Sequence, residues 1–93
     1  MGKLCVEMKP VKALPIYQFK LHQNSNLNGA YVMIKDHSEI LKHLMPGEKI
    51  DMVYHPKNKD APVERYTTQI LNITEKKQGL FKGHFKVALS VAD

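Results

Sequence analysis

The sequence predicts an all-β fold, a small antiparallel barrel of five or six strands with one short helix. Three observations lead there. Apolar and polar residues alternate with a period of two in several separate stretches, the pattern of strands with one dry and one wet face. The stretches are joined by short turns rich in Gly, Asn and Pro, so neighbours in sequence are expected to pair antiparallel. Finally, 93 residues make one domain with a modest core, for which a single closed or nearly closed sheet is the natural solution.

The clearest alternation is at the C-terminal end. Phe81, Gly83, Phe85, Val87, Leu89 and Val91 fall on one face, with Lys82, His84, Lys86 and Ser90 between them. Residues 66–74 are rich in β-branched side chains, and residues 75–79 end in Gly79, which can take a positive φ. Together they predict a long hairpin over residues 65–91. Before it, Ile50, Met52 and Tyr54 point inward from a strand over residues 48–54, and residues 55–62, with two prolines and three charges, form an exposed loop. Asp36 and Glu39 have the spacing of a capping box, and Ile40, Leu41 and Leu44 follow at helical spacing until Pro46 and Gly47. A helix of at most two turns is expected there, plugging one end of the barrel.

Nearer the N-terminus, Tyr17, Phe19 and Leu21 alternate with Gln18, Lys20 and His22 to give a first strand, and residues 30–34 give a second. Between them lies a seven-residue polar turn, residues 23–29, ending in Asn28-Gly29, a strong hairpin signal. The turn is longer than a hairpin needs, and surplus polar turn residues are where binding usually sits. Residues 1–15 carry Lys3, Lys9 and Lys12 with Pro10 and Pro15, and are expected as an extended basic lead-in to a barrel domain over residues 16–93.

The net charge of +5 favours anionic partners such as nucleotides or phosphate groups. One cysteine, Cys5, forms no internal disulfide, and no apolar run reaches a membrane span, so the chain is expected to be cytoplasmic without membrane insertion. Five histidines show no zinc spacing, and there is no nucleophile elbow and no phosphate loop. Neither a metal, a cofactor nor catalysis is expected.

Asn24-Ser25-Asn26-Leu27-Asn28-Gly29 and the apolar strand after it resemble the Asp/Asn-x-Ser-x-x-Gly motif of the PilZ domain family. Residues 44–52 resemble that family's loop, Gly and apolar strand, and residues 65–91 its closing strands in one bacterial subgroup, so the similarity spans roughly residues 16–91. The resemblance implies a six-stranded antiparallel barrel with a short helix. It also implies a non-catalytic role in bacterial second-messenger signalling, as a receptor for bis-(3′-5′)-cyclic di-guanosine monophosphate (cyclic di-GMP) or as an adaptor. An adaptor of this family contacts a protein partner in motility, pilus or exopolysaccharide machinery. Asn24 stands in the Asp/Asn position, Asn26 in that of Ser, and Gly29 in that of Gly. The family's Arg-x-x-x-Arg motif, just before the first barrel strand, has no match, since Arg65 is the only arginine. Lys9 and Lys12 are the nearest N-terminal cations, and lysine lacks the planar fork that grips phosphate bidentately and stacks on guanine, so binding is expected to be weak. The expected ligand set is therefore Lys9, Lys12, Asn24, Asn26 and Gly29. The alternative is a small basic barrel binding single-stranded nucleic acid, with Tyr17, Tyr31, Phe81 and Phe85 as stacking platforms.

Overall fold

The computed structural model describes residues 3–10, 12, 15–23 and 29–91. It has six strands, β1 Lys3–Met8, β2 Tyr17–Lys20, β3 Tyr31–Lys35, β4 Lys49–Pro56, β5 Glu64–Lys76 and β6 His84–Val91. They form one antiparallel sheet in the order β2-β1-β4-β5-β6-β3. The two ends of that order meet at a single bridge, where the His22 and Tyr31 amides each donate to the other's carbonyl at 2.9 and 2.8 Å. The sheet is thus a nearly closed six-stranded barrel, as the alternation predicts.

The phase of the alternation is also as expected. Val6 and Met8, Val32 and Ile34, Ile50, Met52 and Tyr54, Ile70, and Val87 and Leu89 line the interior, with Leu21, Ala30, Ile40 and Leu44 completing the core. Thr68 is the one buried polar side chain among the described residues, and its hydroxyl pairs with that of Tyr54 at 2.7 Å. The pair satisfies two groups that would each be costly to bury alone. In β5 a bulge between Ile70 and Asn72 leaves Leu71 without a cross-strand partner. The extra residue flips the phase, so Ile73 turns toward the core and Leu71 is exposed.

Four local expectations differ from the structure. The N-terminal lead-in contains β1, an interior strand between β2 and β4 whose Val6 is fully buried. Pro10 ends that strand rather than preventing it. The short helix is a 3₁₀ helix, Glu39–His43, with Ser38 at its N-cap and no side-chain cap bond, so the capping box is not formed. Its bonds run from Leu41 N to Ser38 O and from Leu44 N to Leu41 O, because five residues before Pro46 leave too little chain for an α-helical ladder. The last strand begins at His84, not Phe81: Gly79 and Gly83 both take φ near +85° (84 and 86), and the chain between β5 and β6 is a seven-residue turn. Around the hairpin expected at Asn28-Gly29, the one backbone pairing between the β2 and β3 sides among the described residues is the His22–Tyr31 bridge, not a ladder.

Candidate functional site

β1 and β2 pair with Cys5 opposite Lys20 and Met8 opposite Tyr17. Lys3 and Leu4 therefore lie beside Leu21 to Gln23, and the Leu21 amide donates to the Leu4 carbonyl at 3.0 Å. Gln23 Nε2 in turn donates to the Lys3 carbonyl at 3.0 Å, tying the start of the polar turn to the start of the chain. On this rim an open cleft of about 300 Å³ is lined by Lys3, Leu4, Lys20, Leu21, His22, Gln23, Tyr31 and Lys57. That volume is at the small end for a ligand site.

The cleft is basic, and its cations differ in how they are held. Lys3 pairs with Glu64, which also accepts from the Tyr66 hydroxyl. The bonds to it, that from Lys3 first and then that from Tyr66, hold the Glu64 carboxyl below its usual range, and the bond to Glu64 pushes the Tyr66 phenol up. Lys20 and Lys57 have no carboxylate at ion-pair distance among the described residues. The His22 ring stacks on Tyr31 with centroids 5.0 Å apart and planes 9° from parallel, and the Lys86 ammonium lies 4.5 Å from the Tyr31 centroid. Burial first, then the Lys20 charge, lowers the His22 pKa from 6.5. A neutral imidazole results, flanked by ammonium groups without carboxylate partners. Such a rim attracts anions and presents flat rings beside them.

Of the residues expected at the site, Asn24 and Asn26 lie outside the described residues. Gly29 is exposed and enters β3 at the cleft end of the barrel. Lys9 and Lys12 are also exposed, but they follow β1 instead of preceding the first strand. They sit in the connection from β1 to β2, about 17 Å from the polar turn by the rise of five β residues from Tyr17 to His22. Lys9 instead lines a separate cleft with Glu7, Asp51 and Arg65. The lysines that line the cleft with Gln23 are Lys3, Lys20 and Lys57. Lys20 and His22 were visible as the wet face of a strand running into that turn. Lys57 comes from the far end of β4, and no local pattern connects it to residue 23.

The proposed stacking platforms are half-buried, and Tyr31 alternates with buried Val32, so it faces outward and not into the core. On the outer wall, His55 Nε2 lies 2.8 Å from Glu7 Oε2, and Gln18 Nε2 donates to Cys5 Sγ at 3.2 Å. No three His, Cys, Asp or Glu residues among those described converge as a metal site. Among the described residues, no helix is long and apolar enough to cross a membrane. No protein-family model, curated protein or solved structure matches the chain.

Proposed function

We propose that this chain is a non-catalytic, PilZ-like signalling domain that binds cyclic di-GMP weakly and works as an adaptor to a protein partner in motility or exopolysaccharide machinery. The observation that carries the reading is that Gln23, the first residue of the polar turn, lines the basic cleft. The segment that resembles the family's guanine-binding motif, residues 24–29, follows directly on Gln23, and Gln23 is a wall of the cleft that holds Lys3, Lys20 and Lys57. Gly29 and the residues before it supply hydrogen-bonding groups for a base edge, while Lys20 and Lys57 face the phosphodiesters. These lysines take the place assigned at first to Lys9 and Lys12. Each charged hydrogen bond contributes about 1.5–3 kcal/mol, and lysine adds no bidentate grip or stacking, so binding weaker than micromolar is expected.

A titration of labelled protein with cyclic di-GMP, followed by amide NMR shifts, tests this. Saturable shifts confined to Lys3, Lys20, residues 22–29 and Lys57 are expected, with Lys20→Gln weakening binding about tenfold. Shifts centred on Lys9 and Lys12 would return the site to the other end of the barrel. No shift at millimolar ligand would remove the dinucleotide and leave the adaptor role. Binding to single-stranded oligonucleotides that falls steeply with salt would favour the nucleic-acid reading instead.

A further inference from the structure

The turn between β5 and β6 holds two adjacent apolar residues in opposite ways. Phe81 is tucked in, edge-on to His22 at 5.7 Å and to His84 at 5.6 Å between centroids. Leu80 is 93% exposed, the most exposed large apolar side chain among the described residues. The turn that displays it is braced. The Lys82 amide donates to the Gly79 carbonyl and the Gly83 amide to the Lys76 carbonyl, at 3.2 and 3.3 Å. The Gly83 carbonyl accepts from the Asp36 amide at 2.9 Å.

Around Leu80 the charges are mostly of one sign. Lys77 and Lys82 belong to the turn, and Lys35 and Lys76 flank it as the two cross-strand neighbours of His84; all four are exposed. Two carboxylates share this end, Asp36, which lies beside His37, and Glu75, opposite Phe85. We infer that this tip is a docking surface for an anionic lipid bilayer, with Leu80 entering the interface and the four lysines resting on the headgroups. One leucine ringed by ammonium groups is too small an apolar patch to centre a protein interface, whereas a bilayer accepts a single inserted side chain supported by basic residues. Contact of this kind lies on the membrane and does not span it. It stands independently of the dinucleotide reading.

The chain contains no tryptophan, so Leu80→Trp places the sole indole at the tip. Its fluorescence is measured with vesicles of phosphatidylcholine alone and of phosphatidylcholine mixed with phosphatidylglycerol. The expected result is a blue shift with the mixed vesicles only, reversed by salt. In co-sedimentation of the unlabelled chain, Leu80→Ser is expected to weaken binding about ten- to hundredfold, and Lys77→Gln or Lys82→Gln about fivefold each. No shift with the mixed vesicles overturns the inference, as does an equal shift with neutral lipid. A shift that grows with protein concentration before lipid is added also overturns it, because a second copy then covers Leu80.

Discussion

The barrel has a continuous wall and a seam. In the wall, β4 and β5 share six paired residues and β5 and β6 share eight. At the seam, the one backbone pairing among the described residues is the His22–Tyr31 bridge, between the end of the β2 segment and β3. The basic cleft borders the seam, taking Lys20 and His22 from one side and Tyr31 from the other. The two regions thus differ in kind: the wall holds the fold, and the least tied part of the sheet borders the basic cleft.

Breaking the wall is expected to have the largest effect. Ile70 is fully buried, and Ile70→Ala should cost about 2–5 kcal/mol in denaturant unfolding, enough to threaten a domain of this size. Thr68→Val keeps the volume but strands the Tyr54 hydroxyl, costing about 1–3 kcal/mol. A loss well below that range would mean the hydroxyl has another partner. Tyr31→Ser removes the His22 stack and the Lys86 contact and is expected to cost only about 1 kcal/mol. Its sharper mark is in hydrogen exchange: amides of β2 and β3 should exchange faster while those of β4 and β5 keep their protection. Uniform acceleration would show that seam and wall open together.

The smallest effect is a pH slope. Because His22 has a lower pKa folded than its ordinary 6.5, the unfolded chain binds the extra proton first as pH falls. His22 therefore contributes stability that is present above pH 6.5 and is lost as pH falls through the lowered value. His22→Gln should flatten the melting temperature against pH in that window relative to the natural chain. An unchanged slope would show that other groups set it.

Sequence and structure agree where one side chain decides its own environment. The alternation at Ile50, Met52 and Tyr54, or at Val87 and Leu89, reflects burial residue by residue, so the barrel and its inward faces were legible. The bulge at Leu71 was not, because a phase flip depends on what the opposite strand offers, and β-branched residues run on both sides of it. β1 was obscured by Pro10, and its place in the sheet depends on β4, far along the chain. The site divided in the same way. The polar turn and its approach through Lys20 and His22 could be read locally. Lys3 and Lys57 reach the cleft only through the pairing of β1 with β4, where Lys3 stands opposite Pro56.

The position of β1 also bears on how the chain is made. β1 leaves the ribosome first, yet its inner neighbour is β4, and β3 must wait for β6, each partner on the order of 50 residues downstream. Of the two strands of the seam, β2 hangs from β1, made just before it, whereas β3 hangs from β6, made last, so the edges of β2 and β3 cannot be aligned until the final strand has emerged. For most of synthesis the nascent chain carries unpaired strand edges. Their exposure ends when β6 docks, which makes closure of the barrel a late event tied to completion of Val91.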